Sequence, residues 1–383
     1  MIRVPFVEYM GEALYGSGGY YTSDAQRFGR AGDFFTSAQV SPVFGELWAS
    51  FVLSHGAARV VEVGCGDGQL AEGLVTGLLA DTSPDEPVLY GGIDVAETAR
   101  ERTRARLARL RERLEPADRA RLQTWIGEDA KALVEQSDGA LCEGTVIGNE
   151  VLDALPCEVV ALDGDAVRRL WVVAQTQLAQ LVAERGWEIG PFVGARLATG
   201  FAPNDDADCE RFARTHLVRA AQEWEVLRTV GEFSPDLALH LSDWTSWLAP
   251  RAIGFADYGG GTVDVIGPDR QDGSVRAYKA HRLVRDFIDH AGQCDITYDV
   301  NFDLVAAALA ELRYEVQPMQ RQGAFLTQLP GFERLLARAS NPAVARAIAQ
   351  LVLPRALGDR FVVLTATRMG HANRETAVAV DKD

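Results

Sequence analysis

The chain has 383 residues, 47% of them hydrophobic and 24% charged, with a formal net charge of −16. That length suggests about two structural units, and the composition is ordinary for a globular protein. The acidic balance excludes general affinity for nucleic acid or anionic membrane, and no apolar run is long enough to span a bilayer.

Residues 1–10 contain Arg3 and Glu8 and lack a signal-peptide core, so the expected compartment is the cytoplasm. Gly16, Gly18 and Gly19 precede Tyr20 and Tyr21, and Gly29 and Gly32 flank a loop ending in Asp33, Phe34 and Phe35. From Ser41-Pro42 the pattern turns helical: Val43, Phe44, Leu47, Trp48, Phe51 and Val52 recur at steps of three and four. A β-branched run at 58–63 reads as a buried strand, followed by Gly64, Gly66 and Gly68 and a helical pattern. Residues 88–95 read as a second strand, 98–114 as an Arg-rich helix with a solvated face, and 122–126 and 145–148 as two further strands. Strands alternating with helices predict a doubly wound, mostly parallel α/β sheet.

After Pro156 the rhythm breaks. Residues 159–162 and 167–173 flank Asp163-Gly164-Asp165 as a hairpin would, and 157–247 reads as an insertion. The sheet resumes at 252–256 and ends with a strand at 361–366, which sets the core as 55–156 and 248–368, with a motif-rich segment at 1–54 and a polar tail at 369–383. Cys65, Cys142, Cys157, Cys209 and Cys294 are odd in number and scattered, with no C-x-x-C, which predicts neither a disulfide framework nor a metal site.

The chemistry centres on Glu62-Val63-Gly64-Cys65-Gly66-Asp67-Gly68. Glycines between a strand and a helix let a ligand approach the backbone, and the helix start favours an anionic group. The dinucleotide fingerprint needs a third glycine where this chain has Gln69, which disfavours a nicotinamide cofactor. Glu62 two residues before the first glycine fits S-adenosylmethionine, whose amino-acid end would meet the loop. Asp94, closing the second strand, would accept the ribose hydroxyls; Glu128 and Asp129, after the third, would face the adenine; Asn149 and Glu150 close the fourth.

Around these residues the chain resembles the MidA family, whose mitochondrial members are complex I assembly methyltransferases. The likeness runs through Phe6-Val7-Glu8-Tyr9-Met10, Ala13-Leu14-Tyr15, Gly19-Tyr20-Tyr21, Gly32-Asp33-Phe34, Thr36-Ser37 and Phe44-Gly45-Glu46. It continues in Asn149-Glu150-Val151-Leu152-Asp153-Ala154-Leu155-Pro156, in Asp257-Tyr258-Gly259 and in Arg276-Ala277-Tyr278 with His281. Cys65 and Asp67 stand where the family usually has Pro and Arg, and Leu357 where it usually has Met.

The resemblance implies a Rossmann-like methyltransferase fold, S-adenosyl-L-methionine as cofactor with S-adenosyl-L-homocysteine as product, and transfer to a nitrogen of a protein arginine. It implies cofactor contacts from Gly32 and Tyr21 beside those named above. A guanidinium is always protonated, so carboxylates must grip it; Glu150 and Asp153, assisted by Asp33, are the expected grip, with His281 a base or positioning group. A small-molecule O- or N-methyltransferase and a non-catalytic assembly protein that retains the fold are the alternatives. A homo-oligomer is compatible with the sequence.

Overall fold

The computed structural model describes residues 3–23 and 37–370; Gly32, Asp33, Phe34 and the tail from 371 lie outside the described residues. A nine-stranded sheet forms the centre. Along its main path the order is Tyr314–Val316, Phe361–Arg368, Ala252–Gly260, Thr145–Asn149, Arg59–Val63, Val88–Ile93, Leu122–Gly127. The run from Ala252–Gly260 to Leu122–Gly127 is parallel, and Phe361–Arg368 is antiparallel to its neighbours. The chain order reverses between Arg59–Val63 and Thr145–Asn149, the switch point where a doubly wound sheet opens a crevice at its carboxyl edge.

Alternation along the strands sorts the core into two layers. Val60 and Tyr90 pack with Phe44, Trp48, Leu74 and Leu107 on one face, while Val61, Val63 and Leu89 pack with Leu133, Leu241 and Val305 on the other. The expected helix is present as Val43–Ser54, and its apolar stripe is buried. It lies between the helix Gln69–Asp81 and a set of helices, Gln322–Gln328, Gly331–Ala337 and Pro342–Val352, inserted between the last two strands.

The hairpin expected after Pro156 is also present, as Glu158–Asp163 and Ala166–Ala174, turning at Gly164 with φ of 56°. It belongs to an antiparallel six-stranded sheet that takes in Arg3–Pro5, Glu188–Val193, Leu197–Pro203 and Arg228–Phe233. The 157–247 boundaries differ from this sheet at the far end. The helix Leu237–Leu248 buries Leu241, Trp244 and Leu248 against the central sheet, so it packs with the core. A third sheet, Arg276–Lys279, Arg282–Leu283 and Asp295–Thr297, arises instead within the stretch read as core. Its Ala277 and Ile296 pack with Phe6, Tyr9 and Leu170. Three separated pieces of chain thus share one apolar cluster beside the crevice. Among the described residues no helix is long and apolar enough to cross a membrane.

Candidate active site

A cavity of about 680 Å³ opens at the carboxyl edge of the central sheet. Its walls come from the glycine loop, the segment after Ile93, Glu128 and Asp129, Asn149 and Glu150, one face of Leu237–Leu248, and Tyr15 and Tyr21 from the N-terminal segment. The parallel strands end together, so residues far apart in sequence meet here.

The loop is shaped for close approach. Gly66 has φ of 54°, and a Cβ built on it meets nothing nearer than 4.0 Å, so a side chain there would stand in open space beside the cavity it lines. Gly64 has φ of 71°, and its Cβ would lie 2.7 Å from Val151 Cγ2. Both positions therefore require glycine, one for backbone conformation with an open face and the other for packing.

Asp94 sits where the sequence places it. Its Oδ2 accepts the Gly66 N–H at 3.0 Å and its Oδ1 accepts the Ala96 N–H at 2.9 Å, so one carboxylate ties the second strand to the glycine loop. Burial raises its pKa against these hydrogen bonds. Glu62, also on the cavity wall, accepts the Tyr90 hydroxyl at 2.7 Å. Gly92 pairs with Glu62 in register, and a Cβ there would lie 3.1 Å from that hydroxyl, so glycine makes room for the contact. Burial pushes Glu62 up to about 8. Glu128 and Asp129 line the cavity; Asp129 also caps the helix Ala130–Gln136, accepting from Ala132 N–H at 2.7 Å.

Asn149 and Glu150 form a polar corner. Glu150 Oε1 accepts Asn149 Nδ2–H and the Ser37 N–H, each at 3.0 Å. Its Oε2 has no hydrogen bond among the described residues, and Asn149 Oδ1 is buried with no partner among them. Glu150 itself takes φ of 53°, unusual for a residue with a side chain, and donates its N–H to Ala256 O at 2.9 Å. Burial and the neighbouring Asp153 carboxylate push Glu150 up to about 8.

Other expected site residues lie elsewhere. Asp153 is buried behind the cavity wall, its Oδ2 accepting from Thr297 Oγ1 at 2.6 Å. His281 occupies the exposed turn between Arg276–Lys279 and Arg282–Leu283, away from the cavity lining. The third sheet carries it outward, so the base or positioning role expected of it is not met on the cavity wall. Gly32 and Asp33 fall outside the described residues. Tyr21 does line the cavity, stacked on Tyr15 at 5.4 Å and donating to Asp295 Oδ1 at 2.8 Å.

The sequence reading missed two contributors. Asp257 Oδ2 accepts the Leu152 and Asp153 N–H groups at 2.9 and 3.2 Å, holding the turn that presents Glu150. Asp257-Tyr258-Gly259 stood out as a motif, but without a role for the Asp257 carboxylate. Asp236, Leu239, His240, Asp243 and Trp244 form a wall whose spacing of three and four was legible once Leu237–Leu248 is read as a helix.

These buried acids have a consequence for stability. Glu62 and Glu150 are held near 8 in the fold against an ordinary 4.5, so the native state keeps protons that the unfolded chain has lost. Their stabilising effect is fully present below about 4.5 and is lost as pH rises through about 8. His216 is shifted the other way, but it stops opposing the trend above its ordinary 6.5. The ligand-free protein is therefore expected to have a lower urea midpoint at about pH 8.5 than at about pH 6.5. A rising midpoint across that interval would contradict the assignment of these carboxyls as buried acids.

Comparison with known proteins bears on the family and the fold. Residues 43–319 match a family model described as "Putative S-adenosyl-L-methionine-dependent methyltransferase". A Drosophila melanogaster relative, the protein arginine methyltransferase NDUFAF7 homolog, mitochondrial, is 26% identical, the match covering 94% of this chain and 80% of that one. The Caenorhabditis elegans protein of the same name is 26% identical over 85% of this chain and 71% of its own. A crystal structure from Burkholderia thailandensis, bound to S-adenosyl-homocysteine, superposes with a TM-score of 0.74 at 25% identity, covering 96% of this chain and 88% of that one.

Proposed function

Because the chain belongs to the S-adenosyl-L-methionine-dependent methyltransferase family whose model it matches, we propose that it methylates a guanidinium nitrogen of a protein arginine. The single observation that carries the proposal is the Glu150 carboxyl, on the cavity wall with Oε2 unengaged among the described residues.

The residues present fit the cofactor. Gly66 leaves the loop open toward a ligand, and Asp94 is a half-buried carboxylate with lone pairs beyond its two amide contacts. Asn149 Oδ1 is an acceptor without a partner among the described residues, which suits the ammonium of an amino-acid moiety. Gly64 and Gly66 would hold that moiety, Asp94 the ribose, and Glu128 and Asp129 the adenine edge. Bound there, S-adenosyl-L-methionine supplies an electrophilic sulfonium methyl group.

The chain's own part is to bring a cation to that group. A guanidinium stays protonated at neutral pH and offers a planar set of N–H donors that a carboxylate accepts in pairs. Glu150 is held from one side by two amide donors, which leaves Oε2 to take the acceptor. Its proton affinity, near 8, also suits it to receive the proton that the nitrogen releases on methylation. Tyr15 and Tyr21 offer apolar faces on which a guanidinium can lie. Orientation of this kind supplies about 7–11 kcal/mol of barrier reduction in well-held reactions.

Incubating the purified chain with tritiated cofactor and arginine-containing proteins, followed by acid hydrolysis, tests the acceptor. Label is expected in methylated arginine. Label confined to methyl-lysine, to carboxyl esters or to small organic molecules would overturn the arginine reading while leaving the methyltransferase family intact.

A further inference from the structure

We infer that Gln322, in the helical insertion between the last two strands of the central sheet, is a positioning residue for methyl transfer, acting through Ser37 on the amide that holds Glu150. The inference rests on the role proposed for Glu150.

Gln322 and Ser37 are both fully buried. Gln322 Oε1 accepts the Ser37 hydroxyl at 3.0 Å, and Nε2 donates to Leu351 O at 3.1 Å. Leu351 lies in the last turn of Pro342–Val352, where carbonyls lack intrahelical partners. The carboxamide is thus fixed at both ends. Ser37 opens Ser37–Val40, a four-residue helix too short to hold its own conformation, whose Ala38 and Gln39 line the cavity. With the hydroxyl anchored, the Ser37 N–H meets Glu150 Oε1 at 3.0 Å.

Packing alone does not call for this arrangement. The surrounding insertion is apolar: Phe325, Leu326, Leu351 and Ile348 belong to the main core cluster. A serine and a glutamine in such a place carry a desolvation cost that an alanine and a leucine would not. Their return is geometric. Glu150 sits in a left-handed conformation, and of the two donors to its Oε1, one comes from adjacent Asn149 and the other from Ser37. Only the second depends on a distant element, so the helical insertion reaches the cavity through it.

The charges around Glu150 make this donor count. Asp153 and Asp257 face it as carboxyls, and Tyr258 as a phenol. The Asn149 and Ser37 donors favour its ionised form, while burial and Asp153 disfavour it. Loosening Ser37 therefore raises the Glu150 pKa further.

Ser37→Ala, Gln322→Leu and the double variant, each in the full chain, test the inference. The Glu150 carboxyl is followed in ligand-free protein by infrared difference spectra against Glu150→Gln, beside kcat/KM on an arginine-containing peptide and urea midpoints. Each single variant is expected to move the titration upward by at least about half a pH unit and to lower kcat/KM near pH 7 by about tenfold. The double variant removes both partners, so it recovers part of the stability lost by the singles while keeping the shifted titration. An unmoved titration with lower midpoints would make the pair structural only and overturn the inference. Full turnover by Glu150→Gln would instead overturn the reading on which it rests, whatever the titration shows. If Gln322→Leu alone fails to fold, Ser37→Ala and the double variant decide.

Discussion

Asp94→Ala is expected to weaken S-adenosyl-L-methionine binding by at least about 100-fold in calorimetry, since a charged hydrogen bond is worth about 1.5–3 kcal/mol and two ribose hydroxyls lose their acceptor. Among the described residues the Asp94 side chain makes no ion pair; its carboxylate accepts from the Gly66 and Ala96 amides. The same substitution frees the Gly66 N–H, so the loop loses its tie to the second strand as well. Asp94→Asn separates the two effects. It keeps one acceptor oxygen, but its amino group either opposes a loop N–H, donor against donor, or faces the sugar, where it can donate to a hydroxyl but no longer accept from it. An intermediate affinity with a wild-type urea midpoint is the expected result. Because burial raises the Asp94 pKa, affinity should also fall as pH drops through that raised value, where the carboxylate becomes a neutral acid. Wild-type affinity in Asp94→Ala would remove the ribose role and place the cofactor elsewhere in the cavity.

What the sequence revealed and what it hid divide along physical lines. A buried parallel strand needs β-branched residues in a short run, and Val60, Val61 and Val63 announce one; a loop that must bend at its end needs glycine, and Gly64 and Gly66 follow. Asp94, Glu128 and Asn149 reach the cavity wall by the same route, since a residue at the carboxyl end of a parallel strand has only one crevice to face. Asp153 lies off the cavity wall because the chain turns after the fourth strand, and side chains three positions apart there face different ways. Glu150 points to the cavity while Asp153 turns back to Thr297. His281 shared the motif-rich stretch with Arg276 but rides on a hairpin whose outward course only the third sheet determines. Leu237–Leu248 lay inside a stretch read as insertion, and its apolar stripe could not say which sheet it would cover. Gln322 left no local signal, and Ser37 stood out only through the family likeness at Thr36-Ser37: their contact joins residues 285 apart, and neither periodicity nor turn chemistry encodes it.

Glu150→Gln is expected to reduce kcat by about 100- to 1000-fold, the usual scale for removing a group that stabilises charge or moves a proton in the transition state. The change is nearly isosteric. The side-chain oxygen can still accept the Ser37 N–H, so the corner should keep its shape and cofactor affinity should stay within about threefold of wild type. What disappears is the negative charge opposite the acceptor and the proton-accepting site with it. The activity profile supplies a second check: wild-type kcat/KM should rise with pH toward about 8 as Glu150 ionises, and the variant's residual activity should lack that limb. Stability moves the other way. Wild-type protein must bury a carboxylate above about pH 8, whereas glutamine carries no charge at any pH, so the variant should have the higher urea midpoint at about pH 8.5 and show little gain near pH 6.5. Lower activity together with higher alkaline stability is the signature of a carboxyl kept for chemistry at the expense of the fold. Undiminished turnover would reject Glu150 as the acceptor's partner, and a parallel collapse of cofactor affinity would reassign it to the cofactor's amino-acid end.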